Sequence, residues 1–393
     1  MAKDKDKQPV RDYGDRKRRV KKRRRFVILI AVFALLIGGS IYLYSLYNKN
    51  YKGFEVLSTM ENTVDGGVKY LHYGNGLLKY SQDGATAIDK DGNLKWNGSY
   101  EMKKPTADVC DQYAVVADQG GTSIQIFDAN GIAGSISTVY NIIKVEISQK
   151  GVVAALLETK GSNSIKLYDV DGTELAEIAT NVVENGYPID ITLSNDGEKL
   201  ITSYLSVTTG ELIGIATFYN FGEVGQNWTD RMVGAYNFNG MVAPRVAFIN
   251  NSTACVFKEN GFMMFGYSEM PSLIKEITFE KNIDSILYNE EYAGAVLETG
   301  ETGYHELIIY NLKGEKVLDK KLDFDYTNIY LEDNEIIMYD NVSCIIMKMN
   351  GTVKFNYTFD SNIAALYPVN DISQYILASD KAISRISLVE KSK

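Results

Sequence analysis

Thr86-Ala-Ile-Asp89-Lys-Asp-Gly92-Asn-Leu-Lys-Trp96 is the stretch whose reading decides the fold. Alternating apolar residues lead into a short polar turn, and a second run follows. The alternation gives a pleated strand with one buried face. A Gly at the turn supplies a positive φ that other residues resist, so the chain can reverse into a hairpin. An Asp or Asn before it tolerates the same region and bonds its own backbone.

The unit recurs. It returns as Ile124-Gln-Ile-Phe-Asp-Ala-Asn-Gly131, Ile165-Lys-Leu-Tyr-Asp169-Val-Asp-Gly172, Leu307-Ile-Ile-Tyr-Asn311-Leu-Lys-Gly314 and Ile345-Ile-Met-Lys-Met-Asn350-Gly351, with weaker copies at Gly222 and Gly266. Spacings between these glycines are 39, 41, 50, 44, 48 and 37 residues. A period near 40 with four strands per unit is the signature of a β-propeller. A further apolar run precedes each hairpin, as at Tyr113–Ala117 and Val152–Leu157; Ala114, Ala154 and Ala295 in these runs suit strands near a crowded axis.

This spacing places blades at about 68–100, 105–139, 142–180, 187–235, 241–278, 282–322 and 325–360. The remainder, 363–389, holds three strand-like runs and lacks a fourth. Phe54-Glu-Val-Leu-Ser58 can supply it and close the ring without a covalent bond, removing the free sheet edges. Eight blades are therefore favoured; seven stays open because the fourth and fifth units are irregular.

Charge divides the chain. Residues 1–25 hold 13 Lys/Arg and 4 Asp/Glu, a local +9, while the remainder carries 28 basic and 46 acidic residues, or -18. Residues 26–47 are 22 residues without a charge, 13 of them Leu, Ile, Phe or Val. As a helix they would span about 33 Å, against a hydrocarbon core of ~30 Å. Arg18, Arg19, Lys21, Lys22, Arg23, Arg24 and Arg25 abut this run, and the positive-inside bias orients it with the N-terminus in the cytoplasm.

The expected layout is an all-β propeller preceded by a single transmembrane helix that remains as a signal-anchor. It comprises a basic cytoplasmic tail (1–25, with 1–15 read as disordered), the helix (26–47), a juxtamembrane linker with the ring-closing strand (48–62) and an extracytoplasmic propeller (63–393). The lipid bilayer is then one partner. An acidic outer domain argues against nucleic acid, which needs a basic surface.

The segment ending at Trp96 resembles the repeat of quinoprotein-like (PQQ-like) propellers, in which a strand ends in Asp, a turn carries Gly and a Trp follows; only this copy has the Trp. The layout as a whole is similar to a family of membrane-anchored, WD40-like propeller proteins of Gram-positive bacteria. That resemblance implies a bacterial surface location and assigns no activity.

Motifs for chemistry are sparse. The adjacent Cys pair common in quinoprotein dehydrogenases does not occur, and no catalytic residue, metal ligand or cofactor is assigned. Cys110, Cys255 and Cys344 are too few for a disulfide framework and read as buried free thiols in strands. His72 and His305 read as satisfied residues of unrelated blades, and the Asp169–Glu174 run as hairpin chemistry rather than a calcium loop. The irregular fourth unit, 220–236, reads as a long excursion carrying Trp228, Arg231 and Tyr236, the composition of an interface hot spot. The leading reading is a non-enzymatic scaffold for a protein or cell-envelope partner. The alternatives are a sensor with a small ligand in the central channel, or a quinone-dependent or carbohydrate-active enzyme.

Overall fold

The computed structural model describes residues 10–47, 49–62, 67–159, 161–180, 182–208, 210–369 and 372–390. The chain divides into two compact units, Met1–Asn50 and Tyr51–Lys393.

In the first unit, helix α1 (Val10–Tyr47) runs without interruption. It begins well before the apolar run, so 10–15 are helical where disorder was expected; 1–9 lie outside the described residues. Long Lys and Arg side chains lose little rotamer freedom in a helix, which lets the basic stretch continue the apolar one. Among the described residues no helix is long and apolar enough to cross a membrane.

The second unit is an eight-bladed β-propeller. Its described residues form eight four-stranded antiparallel sheets. Blades 1 to 7 are consecutive in sequence, spanning 69–99, 105–137, 141–180, 187–239, 245–278, 283–323 and 328–358. Blade 8 takes three strands from 363–389 and its outer strand, Gly53–Glu61, from the other end of the chain. That strand pairs antiparallel with Ala382–Val389, from Gly53 opposite Val389 to Glu61 opposite Ala382. The ring-closing segment thus lies where the sequence pointed, and the count is eight.

First strands of successive blades lie against one another around the axis, so the last strand of each blade forms the outer edge. Five recurring glycines sit at the outer hairpins with positive φ, from +73° at Gly314 to +120° at Gly131. Asp89 shows why this turn is stable: its Oδ1 accepts the backbone N–H groups of Asp91 and Asn93 at 2.9 and 2.8 Å. The two weak copies differ. Gly222 opens the blade 4 excursion, and Gly266 lies inside a strand, Gly261–Tyr267.

Eight hydrophobic clusters fill the eight seams between neighbouring blades. The core is therefore a ring of interfaces, which is how a repeat architecture escapes the size limit of one globule. Ala114, Ala154 and Ala295 belong to second strands rather than to those at the axis, and they are small because an adjacent blade packs on them. Trp96 stacks on Phe127 of the next blade at 4.8 Å, so the motif's ring is a seam residue.

Candidate functional site

Two concave features stand out, one at the rim and one on the axis. The rim feature is the connection between the third and fourth strands of blade 4. Two single turns of 3-10 helix, Val224–Asn227 and Thr229–Arg231, replace the tight hairpin found in other blades. Gly225 is buried against the strand end, where an added Cβ would lie 1.6 Å from the Asn220 carbonyl oxygen. Only glycine permits that approach. Asn220 ties the base down: its Oδ1 accepts the Gly222 N–H at 2.8 Å and its Nδ2 donates to the Glu269 carbonyl at 2.9 Å.

Trp228 is thereby held out from the ring with 46% of its surface exposed. It edges a pocket of about 650 Å³ whose other wall is Ala176, Glu177 and Ile178 of the blade 3 outer strand. Arg231 lines the same pocket and donates from Nη1 to the Phe221 carbonyl at 3.1 Å. Asp230 and Arg231 both adopt positive φ, 52° and 58°, a conformation costing of order 1 kcal/mol or more at a non-glycine residue. Trp228 and Arg231 are thus brought together. Tyr236 is not: the excursion ends at Arg231, and Tyr236 sits in the following strand, half-buried with its ring 4.7 Å from Phe265 and 5.9 Å from Phe218.

The axial feature is a cavity of about 1000 Å³ at one mouth of the channel, lined by residues from all eight blades. Inner strands and the turns that follow them supply its wall. Tyr288, Tyr330, Tyr367 and Phe248 give it aromatic surface. His72 of blade 1 meets Glu332 of blade 7, with Nδ1 and Oε1 2.6 Å apart, and stacks on Tyr367 at 5.3 Å. Burial, with neighbouring Tyr367 and Tyr339, pushes the Tyr330 phenol far up, so it stays protonated and donates to the Leu366 carbonyl. Burial likewise pushes the Cys110 thiol, on the same wall, up to about 12. It is an inert thiol rather than a nucleophile.

Deeper charges on the inner strands are matched. Lys144 Nζ lies 2.5 Å from Asp190 Oδ1 and 2.8 Å from Glu146 Oε1, and it donates to the Ile191 carbonyl at 2.7 Å. Arg245 donates to the Tyr288 hydroxyl at 3.1 Å. Asp190 Oδ2 accepts the Val246 N–H at 2.9 Å, and Asp108 Oδ2 the Ile147 N–H at 2.8 Å, so these two carboxyl groups also stitch one blade to the next. Bulges immediately before Lys144 and Asp190 turn both side chains onto a common line.

His305 lies elsewhere, 3.6 Å from both Asp284 and Asp325 and beside the Tyr326 ring at 5.2 Å. Among the described residues no group of three or more His, Cys, Asp or Glu could hold a metal ion. In the Asp169–Glu174 turn, Asp171 accepts the Thr173 N–H at 2.9 Å, which is ordinary hairpin bonding. Cys255 and Cys344 are buried free thiols in strands, whereas Cys110 is half-buried at the cavity. Arg18, Lys21, Lys22, Arg24 and Arg25 are exposed on α1; Arg19 and Arg23 belong to the same helix, with side chains outside those described.

Sequence reasoning missed the cavity wall. Tyr288, Tyr330, Tyr367, His72 and Glu332 come from four blades, with only Tyr330 and Glu332 sharing a strand, and no local motif links them. Their shared position on first strands is the one signal that could have grouped them.

Residues 47–388 match the model of a family described as "Family of unknown function (DUF5711)". No curated protein matches the sequence. Among solved structures, Sqt1 of Saccharomyces cerevisiae superposes with a TM-score of 0.55 at 12% identity, covering 87% of this chain and 100% of that one. The Pan2 WD40 domain of Neurospora crassa gives 0.45 at 8% identity, covering 88% and 98%. A putative 6-phosphogluconolactonase from Bacteroides fragilis gives 0.42 at 13% identity, covering 75% and 94%. The first likeness agrees with the propeller fold; the other two are too distant to argue from.

Proposed function

The chain belongs to the DUF5711 family, and on that premise we propose that it is a membrane-anchored, extracytoplasmic propeller serving as an interaction scaffold for a protein or cell-envelope partner. One observation carries the scaffold reading: Trp228 stands half-exposed over a formed pocket, on an excursion built by Gly225 and Asn220. Large aromatic and Arg side chains in such pockets concentrate binding energy. The anchoring reading is supported by the sequence, in which 22 uncharged residues follow a dense basic run.

Crosslinking in intact cells, followed by affinity capture of the full chain, tests it. Trp228→Ala is expected to leave thermal unfolding unchanged while reducing recovery of the crosslinked extracellular partner at least tenfold, the effect of losing ~1.4 kcal/mol or more. Undiminished recovery with the variant refutes the Trp228 surface. Labelling of the propeller by a membrane-impermeant reagent tests the location; protection in intact cells and labelling only after lysis refutes it.

The second reading, a sensor with its ligand in the central channel, is favoured by the axial cavity, whose volume suits a small molecule. A ligand-dependent rise in melting temperature separates the two readings.

A further inference from the structure

We infer that the pocket beside Trp228 binds a neutral saccharide bearing acetamido groups, an N-acetylhexosamine chain. The inference rests on the reading of Trp228 as a binding surface and names what that surface takes. At about 650 Å³ the pocket falls within the range of small-ligand sites. Its polar lining comes from two blades: Glu177 from the outer strand of blade 3, and Gln226, Trp228, Asp230 and Arg231 from the blade 4 excursion. Asp230 and Arg231 stand at positive φ, where glycine would sit without strain. A turn that keeps two strained polar side chains beside an open pocket points to use of those side chains. Among the described residues no ion pair engages Asp230 or Arg231, and Arg231 gives one hydrogen bond, from Nη1 to the Phe221 carbonyl.

The lining selects the ligand class. Glu177 and Asp230 only accept hydrogen bonds, Arg231 only donates, and Gln226 does both. An anion would meet the two carboxylates, and a cation the guanidinium. A hydroxyl both donates and accepts, so an uncharged polyol satisfies every member of the set. Glu177 already accepts the Ser164 hydroxyl at 2.7 Å and lies 3.4 Å from Lys166 Nζ. A carboxylate has about four lone-pair sites, so it can still receive a ligand hydroxyl. Trp228 narrows the class further. A pyranose ring presents C–H bonds on its face, and their slight positive charge suits the negative face of an indole. Ala176, Ile178 and Phe221 add apolar surface to the same pocket. An acetamido group matches that mixture: its methyl suits the apolar surface, its N–H a carboxylate and its carbonyl the Arg231 guanidinium.

The test is titration calorimetry of the full-length protein with tri-N-acetylchitotriose, in a detergent without a sugar headgroup. Saturable binding is expected, unchanged between low salt and ~1 M, because a neutral ligand carries no charge to screen. Cellotriose, the same chain with hydroxyls in place of the acetamido groups, should bind about tenfold more weakly. Binding should also shield Trp228 from acrylamide quenching. The chain has 2 Trp, and the other, Trp96, is buried in a seam, so the quenchable signal belongs to Trp228. Trp228→Ala should lose at least tenfold in affinity, whereas Trp228→Phe, which keeps a ring, should retain most of it. Circular dichroism checks that both variants fold. Absence of saturable binding to the folded protein overturns the inference. Equal affinity for cellotriose, loss of binding at high salt, or an affinity that Trp228→Ala leaves unaltered does so too. The two readings fail separately. If the sugar does not bind while Trp228→Ala still loses the crosslinked partner, the Trp228 surface stands and the saccharide is refuted. If Trp228→Ala loses the sugar while recovery of the crosslinked partner is undiminished, the saccharide stands and the scaffold surface is refuted.

Discussion

Replacing Phe54 by alanine should open the ring at its seam. Phe54 lies in the strand Gly53–Glu61 that closes blade 8, opposite Leu388. Its ring meets Tyr357 edge-on at 5.3 Å and Phe359 at 5.1 Å, both reached from blade 7, so this side chain ties the closing strand to the neighbouring blade as well as to its own. Removing a fully buried Phe costs about 3–5 kcal/mol. Phe54 is only half-buried, which brings the expected loss to about 2–3 kcal/mol, its aromatic contacts included. For a unit of this size the unfolding entropy is about 0.7 kcal/mol/K, so the melting temperature should fall by roughly 3–4 °C. The sharper assay is hydrogen exchange read by mass spectrometry. Amides of the strand and of its partner Ala382–Val389 should exchange on the order of a hundredfold faster, while blades 3 to 5 keep their protection. Val56, in the same strand but 54% exposed, is the control: Val56→Ala should stay within about 0.5 kcal/mol of the parent. If Phe54→Ala falls no further than Val56→Ala, or if exchange quickens equally in all blades, closure does not depend on this contact and the reasoning is wrong.

Glu335→Leu should destabilise the propeller by about 3–5 kcal/mol, because it strands the Lys354 ammonium, 3% exposed, that Glu335 and the Tyr375 hydroxyl hold between them. Chemical denaturation measures it, and adding Lys354→Met should recover most of the loss; a double variant as unstable as the single one refutes the pairing. The Asp108 carboxyl is pushed up to about 8, first by burial and then by Glu146. The folded protein then keeps a proton that the unfolded chain gives up near pH 4, so this group's stabilisation is full below that pH and is lost as pH rises from about 4 to 8. Asp108→Asn, which retains an acceptor for the Ile147 N–H, should flatten the decline in melting temperature across that window, and an unchanged slope refutes the assignment.

How much was legible depended on whether a signal was local. The outer hairpins could be read because strand alternation, an Asp or Asn, and a glycine that must take positive φ fall within about ten residues, as at Asp89 and Gly92. Ring closure could be read by subtraction, since 363–389 offered three strands and a propeller blade needs four. The excursion at Trp228 showed as a lapse in the repeat, but its end did not. Tyr236 follows it in sequence, yet strand pairing resumes at Met232 and turns that ring into the seam with Phe218 and Phe265.

The sequence by itself determined the repeat, favoured eight blades over seven and pointed to the strand that closes the ring, because each follows from periods and turns that neighbouring residues enforce, whereas the count of eight was decided by the closed ring. Tertiary structure alone decided the axial cavity. His72 and Glu332 stand 260 residues apart in the chain and 2.6 Å apart in space, and they meet only because eight blades turn a full circle. A residue's place on an inner strand is a property of its own blade, whereas what stands across the axis is set by the closed ring.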